Sequence, residues 1–265
     1  QPDRVFERHH WIKVKGGRVQ PITKLRRAQR KILAVIRYLR ALGLMVRIII
    51  GKSRKQGGTT TIAGDCFEEV IAREIDALIL AHEKKTTSKI FEIYSRIYNK
   101  YDLPKPPLFK NQSNVKQMRF ENHDGKIDIE TANNKYAGTA LTPQYIHCSE
   151  GSKWENGAET LVSLNQSIGD VPGTTLIHES TFNGEEKTFL PIWQAAYDNS
   201  RLTFGPNYEV TFVVTNQDKW NGYVPIFISV LDDEDAYQLF RSEDEKTAFM
   251  QTLDKYETEL LARTA

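Results

Sequence analysis

The feature that most restricts the fold is an apolar run at residues 45–50 that passes directly into a glycine loop. That loop reads Gly51-Lys52-Ser53-Arg54-Lys55-Gln56-Gly57-Gly58-Thr59-Thr60, and a helical pattern over 59–74 follows it. A strand buried on both faces reads as a continuous apolar run, so 45–50 predicts an inner strand of a parallel sheet. Short apolar runs at 77–81, 145–148 and 174–178 predict further strands, with 208–215 as the last strand of the core. Between them lie helical patterns. Leu25, Ile32, Val35, Ile36, Leu39 and Leu42 mark one apolar face over 24–42. Ile90, Phe91, Tyr94, Ile97 and Tyr98 mark another, with Thr86 or Thr87 as its cap. Residues 116–120 and 126–130 flank Asp124-Gly125, a hairpin signal. The three prolines of 103–109 make that stretch a linker. Strands alternating with helices imply an α/β fold, a mainly parallel central sheet flanked by helices. Ligands of such sheets bind at the carboxyl ends of the strands.

Composition excludes little. Lys plus Arg is 36 and Asp plus Glu is 34, so the net charge of +2 gives no global footprint for nucleic acid, and any such contact must be local. No apolar run approaches the roughly 18–20 residues of a membrane span. The cysteines, Cys66 and Cys148, lack the spacing of a zinc site or a disulfide framework. The chain opens on Gln1 with no visible signal peptide, as a trimmed fragment would.

Three expected strand ends carry polar clusters. A phosphate-binding loop needs small residues that let backbone N–H groups converge, a helix N-terminus, a cation, and a hydroxyl for Mg²⁺. Residues 51–60 supply all four, although Gly58 stands where the usual pattern has lysine and Lys52 where it has the first glycine. A Gly-Gly turn beside lysines is equally an ordinary solvated loop. The second cluster, Tyr145-Ile146-His147-Cys148-Ser149-Glu150, ends in a hydroxyl that could serve a metal and an acid that could orient water. An acid after a strand also serves simply as a helix cap. The third, His178-Glu179-Ser180-Thr181-Phe182-Asn183-Gly184, could sense a γ-phosphate or form a hydrogen-bonded Asn-Gly turn.

Taken in this order, the three segments resemble the ATPase domain of the large terminase subunits of tailed phages, from about residue 21 onward. Residues 52–60 resemble that family's deviant Walker A loop. The resemblance implies that Lys52 reaches the β- and γ-phosphates, Arg54 lies near the γ-phosphate, and Thr59 holds Mg²⁺. Ser53, Lys55, Gln56, Gly57, Gly58 and Thr60 would complete the nucleotide loop, with Leu25 and Gln29 at the adenine. Ser149-Glu150, followed by Lys153-Trp154, is similar to the family's Walker B segment, where Ser replaces the commoner Asp in some branches. Glu150 would then be catalytic, and Ser149 would serve Mg²⁺ through water. Glu179, Ser180, Thr181 and Asn183 resemble the motif coupling hydrolysis to subdomain movement.

The resemblance implies an ASCE-type P-loop NTPase core at 1–215 and a small lid at 216–265, where Trp220, residues 224–227 and Tyr256-Glu257 resemble lid positions. It further implies ATP and Mg²⁺ as cofactors, and double-stranded DNA, a portal protein and a small terminase subunit as partners. A homo-oligomeric ring on the capsid and residence in the host cytoplasm, with no membrane, complete the expectation. The arginine that many members carry before the Walker B strand is missing from Lys135-Tyr136-Ala137-Gly138-Thr139. The acids at 232–235 read as a solvated helix start rather than a two-metal site, so no nuclease activity is expected. The basic run Lys24, Arg26, Arg27, Arg30 and Lys31 reads either as a solvated helix face or as a DNA track. Two rivals remain at this level. One is a nucleotide- or DNA-binding module with a degenerate loop; the other is a helicase-type ATPase, which would need a second motor domain.

Overall fold

The computed structural model describes residues 2–14, 17–109, 116–132, 142–184, 186–229 and 232, with scattered positions between 242 and 251. The chain begins with α1 (Pro2–His9), β1 (Trp11–Lys13) and β2 (Val19–Pro21). It continues through α2 (Arg27–Ala41), β3 (Val46–Lys52), α3 (Gly58–Arg73), β4 (Asp76–Ala81) and α4 (Lys84–Lys100). β5 (Gln117–Arg119), β6 (Lys126–Thr131), β7 (Tyr145–Ser149), α5 (Gly157–Ser167) and β8 (Thr175–Ser180) follow. The last elements are α6 (Phe189–Asp198), β9 (Ser200–Phe204), β10 (Val210–Val214) and β11 (Val224–Ile228).

Seven strands form one sheet in the order β11-β3-β8-β7-β4-β6-β5, parallel except for β5 against β6. The period of two explains why its inner strands are apolar throughout. Ile48 and Ile50 of β3, with Ala77 and Ile79 of β4, face a core built with Ile32, Val35 and Ile36 of α2 and Phe67 and Val70 of α3. The alternate residues Ile49, Leu78, Leu80, Ile146 and Leu176 face a second core with Leu161 and Leu164 of α5 and Phe189 of α6. Each fully buried side chain of this size stabilises the fold by about 1.5–3 kcal/mol. Burial on both faces therefore fixes the inner strands most firmly, and their carboxyl ends form a rigid rim for the site.

Three expectations change. β10, expected as the last core strand, instead pairs antiparallel with β9 in a separate two-stranded ribbon, Val210 opposite Phe204 and Val214 opposite Ser200. The edge strand of the main sheet on that side is β11, with Val224 opposite Ile48 and Ile228 opposite Lys52. Pro225 disguises it in the sequence, because proline cannot donate to a ladder; an edge strand tolerates it. Residues 224–228 thus belong to the central sheet, while most of 230–265 lies outside the described residues.

Thr86 and Thr87 do not cap α4. The cap position is Glu83, and the Thr87 hydroxyl, inside the first turn, donates to the Lys84 carbonyl at 2.6 Å. Finally, Asp232 is not solvated but 4% exposed, held by Lys31 at 2.8 Å and Arg27 at 3.2 Å. Part of the basic face of α2 is therefore spent on an internal ion pair; acids 233–235 lie outside the described residues, as does the 135–139 stretch.

Candidate functional site

Lys52 is the last residue of β3, and beyond it the chain must reverse into α3. It does so through left-handed conformations at Lys55 (φ 65°) and Gly57 (φ 77°), the latter immediately before the helix. Among the described residues no side chain caps the first turn of α3, so its amides and the positive end of its dipole are presented to the loop. The space explains the relocated lysine. A Cβ on Gly58 would lie 3.3 Å from Lys52 Cδ and 3.5 Å from Glu179 Oε2, so the Lys52 stem runs where a side chain at 58 would begin. Gln29 packs against the same turn, its amide nitrogen 3.2 Å from a Cβ built on Gly57. Its Oε1 accepts the Arg26 N–H at 3.0 Å. Gln56 is buried and donates to Ser53 Oγ at 2.9 Å, bracing the loop from within.

Parallel pairing sets Ser149 of β7 opposite Glu179 of β8. Glu179 is completely buried, yet it is surrounded by donors. Thr59 Oγ1 donates to its Oε1 at 2.6 Å and Ser149 Oγ donates to the same atom at 3.2 Å. His147 Nε2 lies 3.2 Å from that atom, and Lys52 Nζ lies 3.1 Å from Oε2. Burial alone would raise the Glu179 pKa, but Lys52, His147 and Thr59 more than offset it and hold the carboxyl well below the usual range. Burial likewise opposes the Lys52 charge. Glu179, by charge and hydrogen bond, and Glu150 reverse this and raise the lysine above its ordinary value. Both groups are therefore charged at neutral pH.

Glu150 follows β7 in a left-handed conformation (φ 57°), which costs a non-glycine residue on the order of 1–2 kcal/mol. It pairs with Lys153 Nζ at 2.7 Å and stands 4.0 Å from Lys52 Nζ. The turn after it, Gly151–Lys153, is fixed from below: the Trp154 indole N–H donates to the Ser149 carbonyl at 3.1 Å. Gly151 has no alternative residue there, since a Cβ would come within 1.8 Å of His178 Nε2. The buried His178 ring sits between Trp154 and Phe189, and neither ring nitrogen has a hydrogen-bond partner among the described residues.

Burial drives the His178 pKa down to about 3, Glu179 opposing and His147 assisting. A stability effect follows from this depression. The unfolded imidazole takes a proton near pH 6.5 that the folded one refuses, so the contribution is complete above that pH and is lost as pH falls towards 3. Urea midpoints measured from pH 7 to 4 should therefore fall less steeply for His178→Leu than for wild type, and identical slopes would show that His178 does not titrate this way.

A cleft of about 650 Å³ opens over these groups. Lys52, Lys55, Gln56, Gly57, Gly58, Thr59, Thr60, Gln29 and Glu150 all line it. So do Ile12, Val14 and Gln20 around the β1–β2 hairpin, whose role no sequence motif announced. Arg54 is not brought in; it is exposed on the loop and, like Ser53, does not line the cleft. Ser180 and Thr181 lie behind the rim. Ser180 Oγ accepts the Ser152 N–H at 3.1 Å and donates to Ser152 Oγ at 2.8 Å. Ser152 Oγ in turn donates to the Thr181 carbonyl at 2.8 Å. Ser180 and Thr181, which the resemblance places in a coupling motif, are thus tied to the turn that follows Glu150, whereas Asn183 is exposed.

The donor set suits Mg²⁺. Among the described residues no group of three or more His, Cys, Asp or Glu could by itself hold a metal ion. The Thr59 and Ser149 hydroxyls nevertheless meet at one oxygen of the Glu179 carboxylate, and Mg²⁺ commonly takes only one or two protein oxygens beside phosphates and water.

No family model matches the sequence, and no curated protein matches it. Among solved structures, the large terminase of bacteriophage HK97 is similar over 73% of this chain and 40% of its own, at 18% identity and a TM-score of 0.55. The chain therefore spans less than half the length of that enzyme. The large terminase ATPase domain of Thermus phage P74-26 aligns with 86% of this chain and 92% of its own, at 14% identity and a TM-score of 0.47. A point mutant of that domain gives 83%, 90%, 13% and 0.49 respectively. At 18% identity the HK97 likeness speaks to architecture alone, and it shows that this chain carries an α/β fold similar to that of the aligned part of the HK97 bacteriophage large terminase.

Proposed function

We propose that this chain is the ATP-hydrolysing module of a viral large terminase, using Mg²⁺-dependent hydrolysis to drive double-stranded DNA into a procapsid. The observation that carries the reading is the meeting of Lys52, Thr59 and Glu150 in one cleft at the N-terminus of α3, with the buried Glu179 holding Lys52 and Thr59 from behind. The triphosphate would lie over the amides of 57–60 with Lys52 against its outer phosphates, and the adenine would lie between Gln29 and the β1–β2 hairpin. Thr59 and Ser149 would hold Mg²⁺, which when bound neutralises charge on the phosphate oxygens. Glu150 faces the cleft and would orient the attacking water. Phosphoryl transfer asks the protein mainly for positioning and charge stabilisation, and buried, preorganised groups provide both.

Movement would pass from Glu150 through the Ser152–Ser180 hydrogen bonds into the coupling segment. A portal protein, a small terminase subunit and a ring of further copies are the partners this reading implies, in the host cytoplasm. No helix among the described residues is long and apolar enough to cross a membrane. The test is steady-state phosphate release by the full chain with and without Mg²⁺ and duplex DNA. Hydrolysis that requires Mg²⁺ and rises with DNA is the expected result. ATP binding without hydrolysis under any condition would instead favour a nucleotide-binding module.

A further inference from the structure

We propose that Glu179, rather than any acid on β7, is the carboxylate of the Mg²⁺ site, acting by holding the Thr59 hydroxyl and metal-bound water. This rests on the nucleotide-site reading and deepens it. A divalent ion among phosphates needs a hydroxyl ligand whose proton is directed away from the metal, and a carboxylate beside that ligand performs this task. The end of β7 supplies no acid for it. Ser149 is neutral, and Glu150, the next residue, turns through a left-handed conformation towards Lys153.

Adjacent parallel strands lie about 4.8 Å apart, and residues paired across them project to the same face. Ser149 and Glu179 are such a pair. A carboxylate on β8 therefore reaches the place that an acid at Ser149 would fill, and Ser149 itself donates to Glu179 Oε1 at 3.2 Å. The Thr59 hydroxyl spends its proton on the same oxygen at 2.6 Å, leaving its lone pairs available to a metal ion. Lys52 on Oε2 and His147 on Oε1 keep this carboxylate in place although it is wholly excluded from solvent. The two acids are thus divided in role: Glu179 serves the metal and Glu150 the water. Hydrolysis would be felt by the coupling segment directly, since the metal's carboxylate is covalently next to Ser180.

The experiment measures ADP and non-hydrolysable ATP analogue affinity by calorimetry, with Mg²⁺ and with chelator, and Mn²⁺ binding by electron paramagnetic resonance. Glu179→Gln should lose about 10–100-fold in metal affinity while metal-free nucleotide binding is kept. Glu179→Asp retains the charge facing Lys52 but withdraws it by one methylene from Thr59, and should show the same loss in weaker form if Glu179→Gln folds poorly. Moving the acid across the strand pair, in Ser149→Asp/Glu179→Gln, should restore metal affinity to within a few-fold of wild type, roughly reversing that loss. Wild-type metal affinity in both single variants would overturn the assignment and leave the ATPase reading intact. Failure of the wild-type chain to bind nucleotide at all would remove the ATPase reading, and with it this one.

Discussion

Glu150→Gln is expected to bind ATP as wild type does and to hydrolyse it at least about 100- to 1,000-fold more slowly, the scale on which single preorganised electrostatic groups act. The carboxylate faces the cleft, 4.0 Å from Lys52 Nζ and 2.7 Å from Lys153 Nζ, on a backbone held in a left-handed turn. Strain of that kind is found where surrounding structure fixes a residue for use. Here the fixing contacts are visible: Trp154 on the Ser149 carbonyl, and the close approach of Gly151 to His178. Glutamine keeps the shape but has no negative charge with which to polarise water. Its fold should be undisturbed, because Glu150 stands at the cleft and its partner Lys153 is not deeply buried. Single-turnover hydrolysis, with nucleotide affinity measured in parallel, separates chemistry from binding. Turnover within a few-fold of wild type would transfer the water-orienting role to another group, and Glu179 would be the first to examine.

Much of this site is legible in the sequence because it lies at the ends of strands buried on both faces. Such strands are continuous apolar runs, and their ends are marked by abrupt polarity, as at Lys52, Ser149 and Glu179. What the sequence conceals depends on pairing. β11 is hidden by Pro225, which only its edge position makes acceptable, while β10 has the stronger strand pattern and lies outside the main sheet. Arg54 stands in the loop by motif but faces solvent, because motif spacing does not determine which way a loop side chain turns. The convergence of Thr59, Ser149, His147 and Lys52 on Glu179 requires the register of β7 against β8, which periodicity cannot supply. The β1–β2 wall is silent in the sequence for a simpler reason: three-residue strands carry no periodic signal.

Lys52→Ala is expected to fail twice over, and a double variant should separate the two failures. Truncation removes the cation facing the cleft and also strands Glu179, which is wholly buried and pairs with Lys52 at 3.1 Å. Leaving one partner of a buried pair unmatched costs about 3–5 kcal/mol, so denaturant midpoints should drop clearly. His147, Thr59 and Ser149 still donate to the carboxylate, which places the expected loss towards the lower end of that range. The pH dependence follows the pair. Glu179 is depressed, so its share of the stability is present above pH about 4.5 and lost as pH falls. Lys52 is raised, so its share is present below pH about 10.5 and lost as pH climbs through the folded value. Between those limits Lys52→Ala/Glu179→Gln should recover most of the lost stability, since no unpaired buried charge remains. It should recover none of the turnover, because it lacks both the buried cation of the phosphate loop and the carboxylate proposed for the Mg²⁺ site; Lys55, which also lines the cleft, is exposed. A double variant that hydrolysed ATP at more than about one-tenth of the wild-type rate, a loss of under 1.4 kcal/mol, would show that Lys52 serves only to neutralise Glu179. One equally unstable as Lys52→Ala would show that the lysine stem, packed against Gly58, matters more to the fold than its charge.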